Sequence, residues 1–161
     1  NETPLVDGTS IMIDINGNYT GYISDQTRTF SIGKLPQKAY DAHQVSIEIQ
    51  HKLAEMGKPG AVCEDLYIES LKIAEKYSLS HCYMGIKQQA KFVGHGVGLV
   101  VNELPVLCYK ARDLLQENMC IALEPKFIIK GVGAVGTENT FVVRKNGMEQ
   151  ITTAPEEIIE L

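Results

Sequence analysis

The sequence predicts an α+β fold in which two helices interrupt a β-rich chain. Three observations carry this reading. Residues 11–30 and 119–152 are rich in β-branched and aromatic residues; the stretch between positions 36 and 77 repeats its apolar residues every three or four positions; and Gly, Pro and Asn punctuate the boundaries. With 161 residues, 44% of them apolar and 22% charged, the chain is long enough to bury the core of one domain, expected to span residues 1–161.

Taken in order, IMIDI (11–15) is a strand, NGN (16–18) carries a strong turn signal, and YTGYISDQTRTF (19–30) resumes as strand, an opening β-meander. Pro36 then stands at a helix start. Ala42, Val45, Ile49, Leu53 and Met56 follow at helical spacing until Gly57-Lys58-Pro59-Gly60 ends the pattern. A second helix runs from about Val62 to Tyr77, with Leu66, Leu71, Ile73 and Ala74 on its apolar face and Glu64 and Asp65 in its first turn, where the helix dipole favours them. The chain then returns to β structure: a buried strand over 97–101, MCIALEPKFII (119–129), and TENTFVVRK (137–145), with a hairpin turn at Asn146-Gly147 leading into MEQIT (148–152). No internal repeat, linker or low-complexity segment interrupts this order.

Composition excludes several functions. The net charge is −5 and none of the 15 basic residues forms a run, which argues against a nucleic-acid partner. No apolar stretch approaches the roughly 20 residues that a membrane-spanning helix needs, and no membrane partner is expected. Cys63, Cys82, Cys108 and Cys120 lie at wide, irregular spacings without a CxxC pair, so neither a cysteine zinc site nor a disulfide framework is signalled. A reducing, cytoplasmic setting is the expectation, and the sequence is compatible with a homodimer.

The chemistry lies in where the carboxylates fall. Asp14 and Asp25 interrupt the first β segments, and Glu124 and Glu138 sit within the later ones among apolar or small neighbours. Burying a carboxylate is costly unless positive charge compensates it, and the chain offers no matching set of buried Lys or Arg. Two divalent cations would balance the four carboxylates, with neutral His95 completing a dinuclear site. An oxygen-rich shell with one imidazole suits manganese or iron better than a zinc site built from cysteines. His95 itself lies in GHGVG, where the glycines remove Cβ atoms that would crowd an approaching group. Taken alone, that motif reads first as a tight turn before a strand, with His95 satisfied by a backbone partner. Spacing alone also leaves Asp14 and Asp25 apart: a hairpin centred on Asn16-Gly17 would put Asp14 opposite Tyr19 and Asp25 six residues further on, roughly 20 Å along a straight strand, unless the chain bends near Gly21.

The run DINGNYTGYISDQTRTF, GHGVGL, ALEP and GTENT resembles, in order, the metal-ligand motifs of the pita-bread metallopeptidases, the superfamily of methionine aminopeptidases, prolidases and aminopeptidases P. The resemblance covers residues 11–152 and is nearer the proline-peptidase branch. It implies a curved antiparallel sheet covered by helices. It also implies two divalent metal ions, manganese first and cobalt, iron or zinc as alternatives. Asp14 would be a ligand of one ion, Asp25 and Glu138 bridges between the two, and His95 and Glu124 ligands of the second, with Glu124 also shuttling protons. The implied activity is hydrolysis of a peptide bond near the N-terminus of a short peptide substrate, Xaa-Pro in this branch, by metal-activated hydroxide.

Three departures qualify that implication. Asn102 stands where family members commonly carry an oxyanion-contacting histidine, and would serve as the catalytic hydrogen-bond donor in its place. Gly136 stands where prolidases often have an arginine. Lys126 follows Glu124-Pro125 in place of glycine, and is expected to point to solvent. Family members also carry a good part of a first half, with another active-site histidine, before the segment resembling residues 1–15, so the chain is expected to be an excerpt. A pita-bread peptide- or protein-binding module without turnover is the alternative that these departures suggest. Among the other residues, His43 and His51 are expected at the surface, and Arg28 either orients a carboxylate or makes a structural ion pair.

Overall fold

A computed structural model describes residues 4–161; positions 1–3 of the expected domain lie outside the described residues. The chain opens with two long antiparallel strands, β1 (Thr9–Tyr19) and β2 (Tyr22–Ile32), followed by helices α1 (Gln37–Met56) and α2 (Cys63–Lys76). Eight shorter strands complete it: β3 (Phe92–Gly96), β4 (Glu103–Cys108), β5 (Cys120–Leu123), β6 (Lys126–Ile129), β7 (Gly133–Gly136), β8 (Asn139–Arg144), β9 (Gly147–Gln150) and β10 (Ile159–Glu160). They form a five-stranded sheet in the order β4-β3-β5-β8-β9, a three-stranded sheet β1-β2-β10, and the hairpin β6-β7. Residues Thr27 and Glu138 pair across the first two sheets, and Ser10 N donates to the Val132 carbonyl at 3.0 Å, so β1 also reaches the third.

The helices cover this β surface because their apolar faces match it. Pro36 caps α1 in extended geometry, and the buried residues Ala39, Ala42, Val45, Ile49 and Leu53 trace one stripe that packs on β6, β7, β9 and α2. In α2 the buried stripe is Leu66, Tyr67, Ser70, Ile73 and Ala74. Leu71 was expected on that face but is 40% exposed. Five positions after Leu66, at about 100° per residue, it has rotated well off the stripe. Phe127, Phe141, Leu107, Ile121, Leu123 and Val135 supply the sheet side of the core.

Two further expectations shift. The apolar run 97–101 is not a strand: β3 ends at Gly96, and Leu99 and Val100 lie 69% and 55% exposed in the loop before β4. Hydrophobicity alone cannot tell a buried strand from an uncovered loop. The last hairpin turns at Lys145-Asn146, one residue early, because Gly147 already opens β9 opposite Arg144. A Cβ on Gly147 would lie 3.0 Å from the Ala54 carbonyl of α1, which is a reason for glycine there. Among the described residues all four cysteines are free, and no helix is long and apolar enough to cross a membrane.

Candidate metal centre

The first pair of carboxylates is placed by a turn. β1 continues through NGN to Tyr19, and the chain reverses at Thr20-Gly21, both with positive φ, 52° and 92°. Two left-handed central residues are what a tight hairpin requires if its strands are to keep their right-handed twist. The expected turn at Asn16-Gly17 is therefore wrong, and the correction changes the register. Asp14 now faces Thr27, and Asn16 faces Asp25. Since directly opposed residues project to the same face and successive alternate residues share it, Asp14, Asn16, Asp25 and Thr27 lie together on one face. Asn16 Nδ2 donates to Asp25 Oδ1 at 2.5 Å and lies 3.5 Å from Asp14 Oδ1. Asn16 belongs to the strand and not to the expected turn; its alternation with Asp14 is the sequence signal for this.

His95 is the penultimate residue of β3, which lies between β4 and β5, and it stands opposite Val106 and Ala122. The flanking glycines are needed for that central position. A Cβ on Gly94 would stand 2.4 Å from the Ala122 carbonyl oxygen, and one on Gly96 2.5 Å from that of Leu104. His95 Nδ1 is 3.1 Å from the Gly96 carbonyl, which can only accept, so Nδ1 carries a proton and Nε2 is the nitrogen turned to the carboxylates. Nε2 lies 3.4 Å from Glu124 Oε1 and 3.8 Å from Asp25 Oδ2.

The other two carboxylates end strands. Glu124 follows β5 at the break before Pro125, so the stretch expected as one strand divides into β5 and β6 there. Glu138 joins β7 to β8, accepts a hydrogen bond from the Thr27 hydroxyl, and is 3% exposed. Lys126, expected in solvent, instead places its ammonium on Glu124 Oε2, its stem half-buried on the way. A buried carboxylate draws any cation within reach. Across the β6-β7 pair, Lys126 faces Gly136, where a Cβ would lie 2.5 Å from the Pro125 carbonyl and 2.8 Å from Lys126 Cα. No longer side chain fits at 136 unless these strands separate.

Ligand atoms of Asp25, His95 and Glu138 all lie within 4.8 Å of one another, and all three residues are buried. Burial, followed by the charge of Asp14, raises the Asp25 pKa above the usual carboxylate value, although His95 and Asn16 pull the other way. Burial and the nearby charge of Glu124 push Glu138 up to about 7. Burial also acts to raise Glu124, but His95 and Lys126 outweigh it and its net shift is downward. At His95, burial favours the neutral ring, while Glu124, the Gly96 carbonyl and Glu138 outweigh burial and favour the cation. These are buried carboxylates short of positive charge. A divalent ion fits this donor set in charge, in ligand type and in the convergence of its atoms.

The sequence candidates are thus brought together unequally. Asp25, His95 and Glu138 converge, Glu124 touches His95, and Asp14 lies on the same strand face but exposed. Asn102 is exposed in the loop before β4. Arg28 contacts no carboxylate among the described residues; its buried guanidinium donates to the carbonyls of Thr27, Glu138, Ala154 and Pro155 and to Asn139 Oδ1, behind the ligand-bearing strands. His43, expected at the surface, is 1% exposed, with Nε2 2.7 Å from the Glu156 carbonyl. The C-terminal segment folds back over α1 to reach it, a contact 113 residues apart in sequence. His51 stays exposed, 3.6 Å from the Glu156 carboxylate.

Known proteins share this arrangement of strands. An Xaa-Pro dipeptidase of Pyrococcus horikoshii is 32% identical over 152 residues, which is 94% of this chain and 42% of the relative. The X-Pro aminopeptidase of Thermotoga maritima superposes with a TM-score of 0.86 at 26% identity, over 96% of this chain and 42% of that one. The methionine aminopeptidase of Rickettsia prowazekii gives 0.72 at 25% identity, over 93% and 66%. The chain therefore spans less than half the length of the proline-peptidase relatives it matches, and it has the pita-bread fold over that span. Residues 1–145 match the sequence pattern of metallopeptidase family M24, and with the convergence of Asp25, His95 and Glu138 this makes the chain a member of that family.

Proposed function

We propose that the chain carries the metal-binding part of a peptidase that hydrolyses an Xaa-Pro bond near the N-terminus of short peptides, in a cytoplasmic setting. The observation that carries this reading is the convergence of Asp25, His95 and Glu138, with Glu124 beside them, in a buried cluster whose negative charge Lys126 offsets only in part. Asp14, Asp25, His95, Glu124 and Glu138 would hold two divalent ions, manganese first. When bound, such ions supply the charge that makes hydroxide available from water near neutral pH.

The chain's own residues do the rest. The Gly96 carbonyl fixes the His95 tautomer so that Nε2 faces the site. Asn16 orients Asp25, and Thr27 orients Glu138, each through a side-chain hydrogen bond. Glu124 takes the proton of the attacking water and passes it to the leaving amine as the C–N bond breaks. Asn102, on an exposed loop, would donate a hydrogen bond to the oxyanion once that loop closes on the peptide.

Metal uptake and hydrolysis of an Xaa-Pro peptide, measured with added manganese, test this. Uptake with turnover is expected. Uptake without turnover favours the peptide-binding alternative, and absence of uptake sinks the metal centre.

A further inference from the structure

We propose that Lys126 is a resident counter-cation that competes with a metal ion for Glu124, so that one metal of the pair is held more weakly than the carboxylates and His95 would hold it alone. The proposal rests on the reading of this site as a metal centre.

Lys126 opens β6 two residues after Glu124, and its ammonium lies on Glu124 Oε2 while the other oxygen, Oε1, faces His95 at 3.4 Å. One carboxylate is thus shared between a cation and a candidate ligand. The grouping of ligand atoms within 4.8 Å comprises Asp25, His95 and Glu138, and does not include Glu124. Glu124 meets that grouping only through His95, and its second oxygen is taken by Lys126.

The base of the lysine is fixed. Its carbonyl accepts from Met84 N at 2.8 Å, and Gly136 packs directly against its α-carbon across the strand pair. The stem therefore starts from one defined point and carries the ammonium to Glu124. A metal ion arriving there has two courses. Either it displaces the ammonium and breaks an ion pair at a carboxylate only 11% exposed, or it binds with a like charge a few ångströms away. Both weaken binding. Asp14, Asp25, Glu124 and Glu138 together carry −4, and Lys126 reduces this to −3, so the second of two divalent ions enters a site already short of one negative charge. The ion that Glu124 would share with His95 bears this loss, and the ion that Asp14, Asp25 and Glu138 would hold is affected less.

Calorimetric titration of manganese into the wild type, K126M and K126R tests this directly, without any need for turnover. K126M removes the charge and keeps the stem; it is expected to tighten the weaker metal site by about tenfold or more, a gain of about 1.4 kcal/mol per factor of ten. K126R keeps the charge and is expected to stay within about threefold of the wild type. Circular dichroism establishes that each variant is folded, and K126Q replaces K126M should the latter misfold. Equal affinity in the wild type and K126M, or equal tightening in K126R, overturns the role of Lys126 while leaving the metal centre intact. Folded proteins of which none takes up manganese overturn the metal centre, and this proposal with it.

Discussion

Thr27 and Glu138 exchange two backbone hydrogen bonds, 3.3 and 3.1 Å long, and the Thr27 hydroxyl also donates to the Glu138 carboxylate. The bridge joins β2 to the turn before β8, and so brings the Asp25 strand to the side of the five-stranded sheet that carries His95 and Glu124. Its integrity depends on the residue next to Thr27.

Arg28 spreads its guanidinium over the carbonyls of Thr27, Glu138, Ala154 and Pro155, at 2.7 to 2.8 Å. Lysine has three donors and no planar fork, so R28K would leave buried carbonyls unpaired. The expected loss is roughly 2–4 kcal/mol. Urea unfolding of R28K within about 0.5 kcal/mol of the wild type would show that the clamp contributes nothing.

Glu138 sets the pH response of the metal-free protein. Its folded-state pKa, about 7, lies above the ordinary 4.5. Between those values the native carboxyl keeps a proton that the unfolded chain has released, so stability is fully present below about 4.5 and falls as pH rises through 7. The loss amounts to roughly 3 kcal/mol, at 1.36 kcal/mol per pH unit. E138Q in the presence of chelator should flatten that decline. Manganese added at pH 8 should restore stability to the wild type as it binds the native state. A decline of the same size in E138Q would assign it to other groups.

The Thr20-Gly21 turn offers a gain. Threonine is β-branched and stands at φ 52°, a region where asparagine is far more at home. T20N is expected to stabilise the protein by about 0.5–1 kcal/mol, and G21A to destabilise it by about 1 kcal/mol. Thermal unfolding of both variants checks the turn assignment; a destabilising T20N would contradict it.

His43 contributes the opposite pH slope. Burial lowers its pKa below the ordinary 6.5, against the pull of Glu156. The native ring stays neutral where the unfolded chain takes up a proton, so its contribution is complete above about 6.5 and is lost as pH falls below it. H43Q should make stability less sensitive to acid in that window, and an unchanged acid limb would show that His43 does not govern it.

The sequence by itself determined the α+β class, both helices to within a residue or so, and the residue types of the site, because these depend on local periodicity and on the cost of placing carboxylates in β-rich segments. It also placed His95 between glycines whose purpose is close approach to two neighbouring strands. What only the tertiary structure decided was which residues meet. The register of β1 on β2 turned on two positive φ angles at Thr20-Gly21, and a misplaced turn left Asp14 and Asp25 far apart on paper. Asn16, Thr27 and Lys126 gained their roles from that register and from strand pairing. His43 was buried by a segment 113 residues away. Local sequence specifies backbone preference and amphipathic pattern; burial, and with it the charge balance of a site, is a property of the segments that pack together, however far apart they lie along the chain.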